Sequence, residues 1–262
     1  MISAFSFHEG DSPLLISVPH DGCHLPPEMS EHMTPEGLAL PDTDWHVAEL
    51  YSFAREMGAS MLVANYSRYV VDLNRPATDD ALYEGQVATG LCPSQTFSGH
   101  DIYVSGAPGR DEVARRVESW WRPYHDKLEQ MLATLRARHG YALLWDAHSI
   151  ASVVPRLFDG ELPVLNIGTH AGRSCSPGIE RAIAELALAS NYSSALNGRF
   201  QGGYITRHYG EPERHIHAVQ LEIAQREYMN ESTGQFDAHL AEQLRGTLRQ
   251  MLKAFLGTAK EV

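Results

Sequence analysis

A chain of 262 residues, 43% hydrophobic and 21% charged, can bury a sizeable core and is most simply read as one α/β domain over residues 1–262. Its formal net charge of −12 argues against sequence-independent nucleic-acid binding, which draws its affinity from neutralised phosphates. A few arginines can still make a local positive pocket for a small anion. The three cysteines, Cys23, Cys92 and Cys175, offer no CxxC pair and no even set, so neither a disulfide framework nor a cysteine zinc site is indicated. The first residues lack the basic flank and apolar core of a leader, and no stretch approaches the roughly 18 apolar residues of a membrane span. A soluble, cytoplasmic protein with no membrane partner is the expectation.

In chain order, residues 13–18 read as a strand, followed by a long Pro- and Gly-punctuated loop over 19–41. A helix is predicted from about Pro41–Asp44 to Gly58, because Asp42, Thr43 and Asp44 suit a helix start and Val47, Leu50, Tyr51 and Ala54 keep helical spacing. Residues 59–64 form a second strand. Tyr69-Val70-Val71 reads as a further apolar strand leading into Asp72-Leu73-Asn74-Arg75-Pro76. Residues 76–110 are rich in Gly, Pro, Ser and Thr and form a loop-rich excursion. Asp111–His139 is helical, kinked or divided at Pro123. Strands follow at Leu143–Trp145, Leu162–Ile167 and Ala218–Ile223, with helices at Gly178–Ser190 and Phe236–Leu256. Strands alternating with helices predict a largely parallel sheet covered on both faces.

The chemistry must come from polar residues at element ends, since no GxSxG, Walker, HExxH or GxGxxG motif is present. Two apolar strands run into histidines: Val18-Pro19-His20 and Trp145-Asp146-Ala147-His148. The C-terminal ends of buried strands are where α/β domains collect ligands, and imidazole is a good zinc ligand. A carboxylate near the predicted helix start would complete a set of three. Asp42, Asp44 and Asp21 compete for that role, and Asp42 is equally explained as a helix cap. Glu222, between Leu221 and Ile223 in a buried strand, is costly unless paired or working; it is the preferred general base. Arg68 and Arg75 bracket the Asp72 stretch, while Arg199 and Arg207 flank Gly202-Gly203-Tyr204; guanidinium groups here would grip an acidic substrate. Asp72 orients neighbouring donors. Trp120-Trp121 reads as helix packing.

Six segments in order resemble the N-formylglutamate amidohydrolase (deformylase) family over about Pro13 to Asn230. They are Ser17–Gly22, Asp42–Trp45, Ser67–Pro76, Trp145–Ile150, Gly202–Gly210 and His217–Glu222. The family is similar to the zinc carboxypeptidases and aspartoacylases. The resemblance implies a three-layer α/β/α sandwich with a mixed, mostly parallel central sheet of the phosphorylase/hydrolase-like kind. It also implies one Zn(2+) per chain, carried over to His20, Asp44 and His148. The carboxypeptidase group places its acidic ligand three residues after the first histidine; here that slot is Cys23, and Asp44 substitutes. By the same likeness Asn74 and Arg75 hold one substrate carboxylate, and Glu222 is the general base.

The implied reaction is zinc-dependent hydrolysis of N-formyl-L-glutamate to formate and L-glutamate, the last step of one histidine-degradation route. Arg68 shares the charge of the tetrahedral intermediate, and Arg207 with Tyr204 holds the second carboxylate. Asp146 supports His148 from behind. Two other readings differ in class: a related zinc hydrolase acting on another N-acyl amino acid or a short peptide, and a metal-free module that binds an acidic ligand.

Overall fold

The computed structural model describes residues 2–78 and 89–259. Seven strands form one sheet: β1 (Phe5–His8), β2 (Leu14–Val18), β3 (Ser60–Ala64), β4 (Ala142–Ile150), β5 (Leu165–Gly168), β6 (Ser194–Leu196) and β7 (Ile216–Ala224), in the order β1-β3-β2-β4-β7-β5-β6. β2, β3, β4 and β7 run parallel; β1 is antiparallel to β3, and β5 antiparallel to β7. The sheet is therefore mixed and mostly parallel, as expected. The central strands are buried along their whole length, which is the consequence of helices covering both faces.

Side-chain alternation divides these strands between two cores. Leu14, Ile16, Leu143, Trp145, Val219 and Leu221 face one layer, built mainly from α4 (Pro177–Ala189) and α6 (Ala238–Thr258), with α1 (Val47–Leu50) at its edge. Leu15, Leu62, Leu144 and Ala218 face the other, where Tyr124, Leu128 and Leu132 of α3 (Arg122–His139) and Ile205 of α5 (Tyr204–Tyr209) pack. The polar residues of interest, Ser17, Asp146, His148 and Glu222, continue this second face toward the C-terminal ends of β2, β4 and β7.

Several sequence expectations need correction. The helix predicted from Pro41–Asp44 is a loop until Val47, then one short α-turn and a 3-10 turn over Ser52–Met57. Leu40 and His46 adopt positive φ values of 51° and 62°, which turn the chain twice and leave Asp44 outside any helix. Its N–H donates instead to His20 O at 3.1 Å. Tyr69-Val70-Val71 is a buried turn, closed by Val70 N–H to Ser67 O, with Tyr69 and Val70 packed against Met29, Met33 and Ile102. β4 does not stop at Trp145: β7 pairs with it to Ile150, so Asp146 and His148 lie within the strand. The helix ahead of Pro123 divides as predicted, into α2 (Arg110–Arg116), a π-turn over Val117–Trp121 and α3. Pro123 has no N–H for the preceding turn, and the wider turn accommodates that loss. The edge strands β1 and β6, only four and three residues long, were not predicted. The 76–110 excursion lies partly outside the described residues. No described helix is long and apolar enough to cross a membrane.

His125, on α3, is buried behind the site. Its Nε2 lies 2.9 Å from Leu73 O and its Nδ1 2.9 Å from the Tyr209 hydroxyl. Burial pushes its imidazole down to about 3, and the bond to Leu73 O only partly offsets this. The folded protein therefore resists a proton that the unfolded chain takes up below its ordinary value of about 6.5. Stability from this group is complete above that value and is lost as pH falls toward the folded one, by at most about 1.4 kcal/mol per pH unit. Urea melts at pH 7 and pH 5 test this: His125→Gln should lose about 2 kcal/mol less than the unaltered protein over that interval. Equal losses in both proteins would rule it out.

Candidate metal centre and active-site cleft

Three parallel strands deliver the site. β2 ends in Pro19 and His20, β4 carries Asp146 and His148, and β7 sets Glu222 directly beside His148 in register. The loop before α1 brings Asp44 across the top. Its Oδ2 lies 3.0 Å from His148 Nδ1 and 3.7 Å from His20 Nδ1. The two imidazoles, with centroids 4.9 Å apart, thus turn the same ring nitrogen toward one carboxylate.

Their far nitrogens are held by other carboxylates. His20 Nε2 is 2.8 Å from Asp72 Oδ1, and His148 Nε2 is 3.1 Å from Asp146 Oδ2. A histidine that donates through one nitrogen to a carboxylate leaves the other as a fixed, more basic ligand. Asp72 is itself gripped by Arg68, whose Nη2 lies 2.7 Å from Oδ2, and Arg68 Nη1 reaches to 3.5 Å from Asp44 Oδ1. The guanidinium packs over the Phe97 ring at 4.7 Å. Asp146 also accepts from Ser17 Oγ and Thr206 Oγ1, each at 3.3 Å.

Among the described residues, His20, Asp44 and His148 are the group whose donor atoms lie within 4.8 Å of one another in a metal-compatible arrangement. His20 Nδ1 is buried without a hydrogen-bond partner, and that orphan atom is the clearest sign of a group the protein itself does not supply. Two imidazoles and a carboxylate are a donor set that suits zinc. Of the competing aspartates, Asp42 uses Oδ2 to accept from Tyr69 Oη at 2.6 Å and from Phe97 N–H at 2.8 Å. Asp21 is held by backbone N–H groups of Ala48 and Val47, and burial raises its carboxyl to about 6.

The electrostatics follow from burial. Burial alone would raise the Asp44 carboxyl, but His20 and His148 outweigh it and hold it well below the usual carboxylate range. Arg68 and His20 do the same for Asp72. Burial disfavours the charged His148 ring, yet Asp146 and Asp44 raise its pKa well above the ordinary value. Glu222 is pushed up to about 8, chiefly by burial, with His148 opposing. Its carboxylate makes no hydrogen bond to the described residues.

The cleft outside the histidines is lined by Arg68, Asn74, Arg75, Arg199, Gln220 and Glu222, with Phe97 and Phe200 among its apolar walls. Arg75 is braced by Nε to Thr89 O at 2.9 Å, and its own carbonyl accepts from Trp121 Nε1 at 2.9 Å. Arg199 donates Nε to Leu157 O at 2.7 Å. Tyr204 and Arg207 are not among the lining residues: Tyr204 stacks on His208, and Arg207 donates Nε to Gly202 O at 2.7 Å.

A family model for N-formylglutamate amidohydrolase matches residues 12–229. The chain belongs to the N-formylglutamate amidohydrolase family. Two relatives named N-formylglutamate deformylase agree over their full length. The one from Pseudomonas aeruginosa is 52% identical over 264 residues, covering 100% of this chain and 99% of the relative. The one from Pseudomonas putida is 50% identical, covering 100% and 98%. The fold is similar to that of a crystal structure titled N-formylglutamate amidohydrolase from Ralstonia eutropha JMP134, with TM-score 0.82 and 24% identity over 97% of this chain and 98% of that one. It is also similar to a gene product from Agrobacterium tumefaciens, with TM-score 0.71 and 18% identity over 96% and 95%.

For this family member, sequence reasoning named His20, His148, Glu222, Arg68, Asn74 and Arg75, which the fold brings to one cleft, and Asp44, which it sets against the two histidines. Sequence reasoning passed over Gln220, and it counted Arg199 among the arginines that would grip an acidic substrate without choosing it. The spacing of Gln220 and Glu222, two apart on one strand and so on one face, was the available signal. Metal analysis separates the aspartates. Asp44→Ala should purify with zinc well below one equivalent, whereas Asp42→Asn should keep it; the reverse pattern would exchange their roles.

Proposed function

We propose that this chain hydrolyses N-formyl-L-glutamate to formate and L-glutamate, using one zinc ion held by His20, Asp44 and His148. The observation that carries the reading is the position of Glu222: a carboxylate without a hydrogen bond among the described residues, beside His148 in register, in a cleft with arginines on its wall. Membership of the family and the names of relatives at 50–52% identity support the substrate. The reaction would close one route of histidine degradation.

When bound, zinc supplies Lewis acidity that eases ionisation of water and polarises the formyl carbonyl. With that ion held beside it, Glu222 would stay ionised despite its burial. The Glu222 carboxylate takes a proton from the attacking water as its oxygen bonds to the formyl carbon. It then gives that proton to the amide nitrogen as the C–N bond breaks, releasing formate and the amine of glutamate. Arg68 is fixed by Asp72 and supplies positive charge where the tetrahedral oxyanion develops. Arg75 and Arg199 each hold one substrate carboxylate, so Arg199 takes the place first given to Arg207 and Tyr204.

Purified protein with zinc should release formate and glutamate in equal amounts from N-formyl-L-glutamate, and turn over N-acetyl-L-glutamate and N-formyl-L-methionine far more slowly. No release, or equal rates on all three, would sink the assignment. Glu222→Gln should retain zinc while kcat falls by at least ~10²-fold. Arg199→Ala should raise KM by about tenfold or more with kcat little changed, the pattern of lost ground-state binding.

A further inference from the structure

The side-chain amide of Asn74 is almost entirely enclosed. Its oxygen accepts the Ile205 N–H of α5 at 2.8 Å, which fixes the orientation of the amide plane. The NH₂ group consequently points at β4, 3.0 Å from His148 Nε2 and 3.4 Å from Asp146 Oδ2. The backbone is locked as well: Asn74 N–H donates to Asp72 Oδ1 at 2.8 Å, and its carbonyl accepts from Tyr204 N–H at 3.3 Å. On the opposite side stands Gly203, where a Cβ would lie 2.3 Å from the amide nitrogen. Gly203 cannot give way freely, since its N–H donates to Gln220 Oε1 at 2.7 Å.

From this geometry we propose that Asn74 is a positioning residue for His148, and not a ligand for the substrate carboxylate. Wedged between Gly203 and the imidazole edge, it holds the Asp146–His148 pair so that Nδ1 faces Asp44 and His20. Asp146 Oδ2 receives His148 Nε2–H, Asn74 Nδ2–H and Thr206 Oγ1–H together, and the ring cannot turn without breaking that set. The inference rests on the metal reading above and extends it to a residue whose likeness to carboxypeptidases points to a different task.

Zinc affinity, measured by competition with a chromogenic chelator, separates the two roles. Asn74→Ala should bind zinc about 10–100-fold more weakly, the usual cost of losing a group that supports a ligand. At saturating zinc its KM for N-formyl-L-glutamate should stay within about threefold of the unaltered enzyme. Gly203→Ala, which touches no metal ligand, should weaken zinc in the same direction by displacing the amide; it carries the test if Asn74→Ala fails to fold by circular dichroism. Unchanged zinc affinity in the folded variants, or a KM raised by about tenfold or more, overturns the proposal. If the unaltered protein takes up no zinc, the metal reading falls and this inference falls with it. If it binds zinc and both variants bind it equally well, this inference alone fails.

Discussion

Buried carboxylates crowd the end of the sheet: Asp44 and Asp72 pair with the buried Arg68, and Asp146 and Glu222 flank His148 on β4 and β7. Charges removed from water must be compensated where they stand, and much of the surrounding structure answers that requirement. Arg68 spans Asp72 and Asp44. His20 and His148 stand between pairs of carboxylates. At the centre of this arrangement His20 Nδ1 is left without a hydrogen-bond partner.

The fold answers the same requirement at longer range. β2, β4 and β7 are neighbours and parallel, so their C-terminal ends supply both histidines and Glu222 from one edge. Beyond β7 the direction reverses at β5. The Asp44 loop is fastened from the far side: the Tyr228 hydroxyl bridges Ser149 Oγ at 2.6 Å and Trp45 O at 2.8 Å, and Gln225 Nε2 donates to Thr43 O at 2.9 Å. Ser149 N–H adds a bond to Asp44 Oδ2 at 3.1 Å. A loop with two left-handed residues is thereby tied at several points to β4 and to the segment after β7.

The central strands and the long helices were legible because burial on both faces writes itself as apolar runs and 3.6-residue spacing. His20, His148 and Glu222 were legible for the same reason, as polar residues interrupting those runs. The Asp44 helix was misread because Asp, Thr and Asp favour a helix start locally, while tertiary bonds to His20 and His148 hold the segment open. Tyr69-Val70-Val71 looked like a strand because hydrophobicity reports burial, not extension. The wall of the cleft was the least legible part: Arg199 and Phe200 come from a segment whose position depends on packing among distant loops.

β4 carries Leu144, Asp146 and His148 on one face and Trp145 and Ala147 on the other. Core and site are therefore written in a single alternation. A slip of one residue against β7 would turn Asp146 and His148 into the α4–α6 core and bring Trp145 and Ala147 round to the cleft. Such a chain would lose its packing and its chemistry together. A one-residue slip thus leaves no sound core around an inert centre. Quality control that detects exposed apolar surface would thus also remove the molecules unable to react.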